Sequence, residues 1–233
     1  MLKIDTKIYG SLKRENLLKS LQKQLNLPRS EIFLDDRPNG GNAYYTAKKA
    51  WLAPVEEGIT HRLAFPDDMK ICNNFYEILY QIIKTHPEKI ISLYPPSIYY
   101  KKEWAKFLKT PYIYPISLAG CGVVIPIEYI EPMFKWIDKT YADKIDTIAD
   151  DTAMENWAKK EGIKVISTVP SLVQHMGDVS LEDPSRPIRR TPFFEENPKA
   201  DWSNPNIEYL YDHNYNPKKF NKEMHKIMRK RGK

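Results

Sequence analysis

The adjacent carboxylates Asp67 and Asp68 are the strongest candidates in this chain for a chemical role. They follow an apolar run at residues 61–65, and two neighbouring carboxylates repel each other. A hard divalent cation, Mg²⁺ or Mn²⁺, would relieve that repulsion through oxygen ligands and could bridge to phosphate oxygens. The alternative is an acidic turn that caps the following helix. The spacing alone leaves both interpretations open.

A histidine and a second acidic pair extend the set of candidates. His175 follows the last apolar run of the chain, and is either a hydrogen-bonded structural residue or, with a metal nearby, a ligand of Mn²⁺. Asp150 and Asp151 open a predicted helix. Thr152 and Glu155 fit a capping box there, and alternatively one carboxylate takes a proton from an acceptor hydroxyl.

Glycines and basic residues could contact a phosphate-bearing ligand. Gly120 and Gly122 flank a cysteine in a loop that leads into an apolar run, where backbone can approach a bulky ligand closely or form a tight turn. Arg37 and Lys48 lie near the end of another apolar run. Each either pairs with phosphate or is an exposed charge.

Short apolar runs alternate with amphipathic stretches along the chain, a pattern typical of an α/β layered fold. Strands are predicted to end at Tyr9 and to cover residues 31–34, 61–65, 89–94 and 164–169, and residues 118–126 are predicted to be a glycine loop that leads into a further strand. Helices are predicted to cover residues 12–25, 44–51, 74–84 and 150–160, with another through Trp136. Ligands of open α/β sheets bind beyond the carboxyl ends of the strands. The acidic residues Asp35 and Asp36, the pair Asp67–Asp68, the glycine loop and His175 all fall at or near such ends.

Composition is that of a globular protein, with 233 residues, 42% hydrophobic and 28% charged. From about residue 183 onward, prolines at positions 184, 187, 192, 198, 205 and 217 interrupt any long periodicity. We therefore expect one catalytic domain over residues 1–182 and a wrapping tail over residues 183–233.

The net charge of +6 favours phosphate-bearing partners, and five Lys or Arg residues lie within residues 225–233. The two cysteines lack zinc-ligand spacing, the first residues lack an apolar signal core, and no apolar run reaches membrane-spanning length. We expect a soluble, cytoplasmic protein with no transmembrane segment.

The order of these motifs resembles the GT-A class of glycosyltransferases, a Rossmann-type α/β/α sandwich. A strand-terminal acidic metal motif, a glycine loop, an acidic pair opening a helix and a late histidine occur in that order. Residues 61–68, 150–153 and 169–177 are similar to segments of small bacteriophage and bacterial glycosyltransferases. The resemblance covers roughly residues 3 to 182, and the Pro-Asp-Asp motif departs from the Asp-x-Asp pattern of the class.

The resemblance implies a role for each motif. Asp68 would be the principal ligand of Mn²⁺ or Mg²⁺, with Asp67 supporting it and His175 completing the shell. Asp151, paired with Asp150, would be the catalytic base if the anomeric centre inverts. The nucleoside-diphosphate sugar would contact the remaining candidates, which are Gly10, Ser11, Arg14, Asp35, Asp36, Arg37, Lys48, Gly120 and Gly122.

The implied reaction moves a sugar from a nucleotide-sugar, a UDP-sugar by preference, to an acceptor hydroxyl. The phage likeness, the basic tail and Arg186, Arg189 and Arg190 suggest hydroxymethylated pyrimidines of DNA as acceptor. Lipopolysaccharide or another glycan is the competing acceptor. Acidic pairs with histidine also suit a metal-dependent nuclease or phosphodiesterase, and the basic tail suits a non-catalytic nucleic-acid-binding module.

Overall fold

The computed structural model describes residues 2–37, 43–95, 108–115, 117–145, 147–177 and 190–209. The strands are β1 (Ile4–Gly10), β2 (Ile32–Leu34), β3 (His61–Pro66), β4 (Met69–Ile71), β5 (Ile90–Ser92), β6 (Tyr112–Tyr114), β7 (Val123–Pro126), β8 (Val165–Thr168), β9 (Val173–His175) and β10 (Glu208–Tyr209). The helices are α1 (Glu15–Leu25), α2 (Tyr44–Trp51), α3 (Phe75–Thr85), α4 (Ile127–Thr140) and α5 (Asp150–Glu161).

Eight strands form one mixed sheet in the order β10-β6-β8-β5-β7-β3-β1-β2. Strand β1 pairs in parallel with both β2 and β3, and β5 pairs in parallel with β8. Strand β7 runs antiparallel between β3 and β5, and β6 runs antiparallel to β8. Strands β1, β2, β3, β5 and β8 therefore all end at the same edge of the sheet, and β7 begins there.

Helices cover both faces of the sheet, each over its own hydrophobic cluster. Helices α1 and α3 contribute Leu21 and Leu79 to one cluster. Helices α2, α4 and α5 contribute Trp51, Phe134 and Trp157 to the other. Alternate residues of β1 serve the two faces, since Ile8 belongs to the first cluster and Tyr9 to the second. The prediction of an α/β fold is confirmed, and the arrangement is compatible with a Rossmann-like α/β/α sandwich.

The first predicted helix differs from the structure at its start. The helix expected over residues 12–25 is divided into a 3₁₀ turn, Leu12–Arg14, followed by α1. Ser11 caps the 3₁₀ turn, where its Oγ accepts a hydrogen bond from the Lys13 backbone N–H at 3.3 Å. The 3₁₀ turn carries no buried residue, so no apolar side chain anchors an α-helix that early.

A separate two-stranded ribbon, β4 with β9, was not predicted. It pairs Met69 with His175 and Ile71 with Val173 in antiparallel register. Both strands have only three residues, too few for an alternating pattern to be recognised in the sequence. The ribbon matters because Asp68 directly precedes β4 and His175 ends β9.

The described part of the proline-rich segment packs onto the domain. Phe193 and Trp202 are buried, and the Trp202 carbonyl accepts a hydrogen bond from the Tyr112 hydroxyl at 2.6 Å. Strand β10 extends the sheet beside β6. The boundary predicted between residues 182 and 183 lies outside the described residues. Within the described ranges, no helix is both long enough and apolar enough to cross a membrane.

Candidate functional site

The end of β1 meets the first acidic pair at the carboxyl edge of the sheet. The backbone N–H of Ser11 donates a hydrogen bond to Asp67 Oδ2 at 2.7 Å. A Cβ atom on Gly10 would lie 2.2 Å from the same oxygen, so only glycine permits this approach. The side chain of Asp67 is buried together with that of Asp68. The structure therefore brings Gly10, Ser11 and the acidic pair together.

Arg14 and His175 contact the acidic pair from two further elements. The Arg14 guanidinium forms an ion pair with Asp68 and lies 3.4 Å from Asp67 Oδ1. The His175 Nε2 atom lies 3.3 Å from Asp68 Oδ2. The backbone N–H of Met176 donates to the Asp68 carbonyl at 2.7 Å, which fixes the chain beside β9. Five of the predicted residues thus form one cluster with Gly10 behind it, namely Ser11, Arg14, Asp67, Asp68 and His175.

Burial and mutual repulsion set the protonation states of this cluster. The pKa of Asp67 is raised to about 6, because burial disfavours its charge more strongly than the Ser11 N–H favours it, and the Asp68 charge adds to the rise. The pKa of His175 is lowered to about 4 by burial and then by the charges of Arg14 and Arg190. At neutral pH the imidazole is therefore uncharged, which is the form that binds metals.

The metal-coordinating atoms of the cluster suit a divalent cation that is also bound by a diphosphate. Asp68 and the neutral His175 are adjacent, and the other ring nitrogen of His175 is buried without a hydrogen-bond partner among the described residues. Within those residues, no three His, Cys, Asp or Glu side chains are grouped closely enough to hold a metal alone. Mg²⁺ commonly uses one or two carboxylates together with substrate phosphates and water, so a small protein donor set suits a metal–diphosphate complex.

The glycine loop borders the same cluster. Gly122 has a φ of +86°, and a Cβ there would lie 2.8 Å from a ring carbon of Phe65, the residue of β3 that closely precedes the acidic pair. Cys121 is partly buried, and its pKa is raised by desolvation and by the charges of Asp68, Asp151 and Asp150. Carboxylates of both acidic pairs therefore raise the pKa of the same thiol.

The second acidic pair is tied to the glycine loop by hydrogen bonds. Asp151 Oδ2 accepts from the Gly120 N–H at 3.3 Å, and Asp150 Oδ2 accepts from the Tyr9 hydroxyl at 3.3 Å. The capping-box interpretation is wrong, because the N-cap is Ala149 and makes no side-chain cap bond. Glu155 Oε2 instead accepts from the Leu118 N–H at 3.0 Å. Both carboxylates still lie in the first turn of α5.

The candidates near the end of β2 are bonded to one another. Asp35 is held by the side chain of Arg37 at 2.7 and 2.9 Å, and the guanidinium lies 5.2 Å from the ring centroid of Tyr45. The hydrogen bonds from the Arg37 side chain, followed by its backbone N–H and its charge, lower the pKa of Asp35 against the effect of burial. The Asp35 N–H donates to the Gly10 carbonyl at 2.8 Å, so this loop adjoins the acidic cluster.

The remaining two candidates at this end of the sheet make contacts elsewhere. Asp36 is exposed and pairs with Lys49 at 3.3 Å. Lys48 pairs with Asp138 of α4 at 2.5 Å. In this structure neither side chain is hydrogen-bonded to the acidic cluster, whereas the Asp35 loop is joined to it through Gly10.

Sequence reasoning missed Tyr9 and Tyr45. Tyr9 is a strand residue in an alternating pattern, which predicts only that its ring is buried. Tyr45 is partly exposed on the first turn of α2, where an aromatic side chain beside Arg37 is a weak signal. A role for Tyr9 or for Tyr45 can be proposed only from the fold, which brings each of them to its partners.

No protein-family model matches this sequence, and no curated protein is significantly similar to it.

Proposed function

We propose that the chain is a metal-dependent glycosyltransferase of the GT-A type, which moves a sugar from a nucleoside-diphosphate sugar to an acceptor hydroxyl. The observation that carries the proposal is the meeting of Asp68 with His175 at 3.3 Å, beside Ser11 and Arg14. Carboxylates, a neutral imidazole, an arginine and a backbone N–H thus converge at the carboxyl edge of a mostly parallel sheet. That edge is where nucleotide ligands bind in such folds.

The donor diphosphate is assigned to the space beside this cluster. Asp68 and His175 would hold Mn²⁺ or Mg²⁺, with Asp67 in support, and the metal when bound supplies positive charge that neutralises the departing diphosphate. Arg14 ion-pairs with the carboxylates, and a guanidinium at this position suits phosphate oxygens. Gly10 lets the end of β1 pack directly against Asp67, behind the space assigned to the diphosphate.

The nucleoside is assigned to the loop after β2. The Tyr45 ring beside Arg37 offers a partly exposed stacking surface, and a UDP-sugar is the favoured donor. Asp35 has both carboxylate oxygens engaged by Arg37. The Arg37–Asp35 pair therefore acts as a unit, with the arginine held in place by the carboxylate.

In the proposed transfer step, the second acidic pair acts on the acceptor. The acceptor oxygen forms a bond to the anomeric carbon, the bond from that carbon to the diphosphate oxygen breaks, and the nucleoside diphosphate leaves with the electron pair. With inversion at the anomeric centre, Asp151 takes the acceptor proton. Gly120 donates to Asp151 and so holds the carboxylate at the glycine loop.

The acceptor is proposed to be a hydroxymethylated pyrimidine of DNA, with a glycan such as lipopolysaccharide as the alternative. Among the three arginines singled out for DNA, Arg190 lies within the described residues and is exposed. Its charge lowers the pKa of His175, so it acts on the same cluster. Arg186, Arg189 and the basic residues 225–233 lie outside the described residues.

Release of the nucleoside diphosphate from a panel of nucleotide-sugars tests the proposal. We expect UDP release from a UDP-sugar that needs Mn²⁺ or Mg²⁺, increases with hydroxymethylated DNA or a glycan, and is lost in Asp68→Asn. Lys135→Gln, at an exposed position of α4, is the control and keeps the activity. Metal-dependent cleavage of DNA without any nucleotide-sugar would point to a nuclease and contradict the proposal.

A further inference from the structure

Tyr9 stands where the end of β1 meets both acidic pairs. Its hydroxyl lies 3.3 Å from Asp150 Oδ2 and 3.4 Å from the Gly120 carbonyl. Two residues later, the Ser11 N–H donates to Asp67. Tyr9 therefore contacts the second acidic pair, whereas the next two residues contact the first. Gly10 packs against Asp67, and Ser11 donates a hydrogen bond to it.

The phenol of Tyr9 is a fixed donor. Its ring is buried in the cluster formed with α2, α4 and α5. Burial, followed by the Asp150 charge, raises the pKa of its hydroxyl well above the usual value. The hydroxyl therefore keeps its proton throughout the physiological range. Since Asp150 and the Gly120 carbonyl are both acceptors, the single proton is shared between α5 and the glycine loop.

Hydrogen bonds continue from this phenol to Asp151. Asp150 Oδ1 accepts from the Asp151 backbone N–H at 2.8 Å, and Asp151 Oδ2 accepts from the Gly120 N–H at 3.3 Å. Asp150, Asp151 and Gly120 thus form a closed group that is attached to β1 through Tyr9. No sequence motif marks this connection, because Tyr9 is distant in sequence from all three.

We propose that Tyr9 is a positioning residue that sets the place of Asp151 and the glycine loop relative to Asp67 and Asp68. It acts through its hydrogen bonds to Asp150 and Gly120. The catalytic consequence rests on the proposed glycosyltransferase function, whereas the structural part does not. A misplacement of the base relative to the donor lowers the rate of transfer without weakening donor binding.

Cys121 reports on this arrangement independently of any activity. It lies inside the glycine loop and is partly buried, while Cys72 is buried in the hydrophobic cluster of α1 and α3 and serves as an internal reference. Removal of the Tyr9 hydroxyl takes one hydrogen-bond donor from the partly buried Asp150 carboxylate and the Gly120 carbonyl, and so loosens the loop. We expect the labelling rate of Cys121 by a small thiol reagent to rise about tenfold, with Cys72 unchanged.

The experiment compares Tyr9→Phe with Tyr76→Phe. Tyr76 also donates to β1, through Thr6 at 3.4 Å, but on the other face of the sheet. For Tyr9→Phe we expect faster Cys121 labelling, a fall in kcat of about tenfold or more, and a KM for the nucleotide-sugar within about twofold. Tyr76→Phe changes none of the three. Should Tyr9→Phe not fold, Asp150→Asn supplies the same comparison, since it weakens the acceptor of the same bond.

Each outcome decides the matter. Cys121 labelling unchanged in Tyr9→Phe overturns the positioning role, whatever the enzyme does. Faster labelling with unaltered kcat restricts Tyr9 to loop stability and overturns its role in the reaction. Faster labelling in a chain whose wild type releases no nucleoside diphosphate from any donor leaves the structural role standing, and the glycosyltransferase proposal fails on its own.

Discussion

His175 Nε2 lies 3.3 Å from Asp68 Oδ2, although the two residues are far apart in the sequence. The β4–β9 ribbon explains the meeting, because its register places His175 opposite Met69, the residue that follows Asp68. The hydrogen bond from the Met176 N–H to the Asp68 carbonyl extends this pairing to the next residue of each strand. The metal-ligand hypothesis for these two residues therefore has a specific structural basis.

The approach of Gly10 to Asp67 predicts a sharp difference between two glycines. Gly10→Ala places a methyl group 2.2 Å from Asp67 Oδ2, so the carboxylate must move. In Gly120→Ala the new methyl carbon lies 3.5 Å from its nearest neighbour, the Cβ of Asp151, which is an ordinary van der Waals contact. We expect Gly10→Ala to abolish the thermal stabilisation by Mn²⁺ and UDP, and Gly120→Ala to retain most of it. Equal responses of the two variants would contradict the packing argument.

The raised pKa of Asp67 predicts a pH-dependent gain in stability for Asp67→Asn. In metal-free buffer the folded carboxyl has a pKa of about 6, against about 4 in the unfolded chain, so the folded state holds the extra proton between these values. Wild-type stability from this group is present below pH 4 and is lost as the pH rises through 6. Asparagine does not titrate.

Urea denaturation of both proteins from pH 3.5 to 7.5 measures this difference. The stability of Asp67→Asn relative to wild type should increase by roughly 2 to 3 kcal/mol across the window and level off above pH 6. Titrating groups that do not interact with Asp67 are common to both chains and cancel. A difference that stays constant with pH would show that burial does not raise the pKa of Asp67.

Trp202 predicts that the segment after the central domain is an integral part of the fold. Its side chain is buried, and its carbonyl accepts hydrogen bonds from Tyr112 and Thr85. We expect Trp202→Ala to lower the free energy of unfolding by about 3 to 5 kcal/mol, as in other large-to-small core changes. Leu12→Ala, at a mostly exposed position, serves as the control. An effect below about 1 kcal/mol for Trp202→Ala would mean that the segment is dispensable.

The lowered pKa of His175 predicts that its metal role persists at mildly acid pH. The imidazole is neutral down to about pH 4, so protonation of His175 does not compete with Mn²⁺ at pH 6 to 7. We expect His175→Gln to weaken Mn²⁺-dependent UDP binding by about 10-fold or more at both pH values, with metal-free UDP binding unaltered. Calorimetry at pH 6 and 7 checks this, and an effect confined to the lower pH would contradict it.

The α/β class and several elements could be predicted because long apolar and amphipathic patterns dominate them. Helix α3 and the run before Asp67 are such elements. Strands β4, β6, β9 and β10 have three residues or fewer, and their pairing depends on tertiary contacts that no local pattern records. Most strand-end candidates could be named from chain order, since parallel strands end at one edge.

The partners of those candidates could not be predicted. The Arg37–Asp35 pair and the Lys48–Asp138 pair follow from loop and helix packing. The capping box at Thr152 failed because Glu155 bonds to Leu118 of the preceding loop. Tyr9 was missed because its role lies in contacts with α5 and the glycine loop, which are brought to β1 only by the fold.

Isothermal titration of UDP into the protein, with Mn²⁺ and with EDTA, tests the central claim most directly. We predict UDP binding that Mn²⁺ strengthens by at least about 10-fold, a coupling of at least about 1.4 kcal/mol. That dependence should be lost in Asp68→Asn and kept in Lys135→Gln, a change at an exposed position of α4. UDP binding with no dependence on Mn²⁺, or an equal dependence in Asp68→Asn, would contradict the assignment of Asp68 as the metal ligand that holds the donor diphosphate.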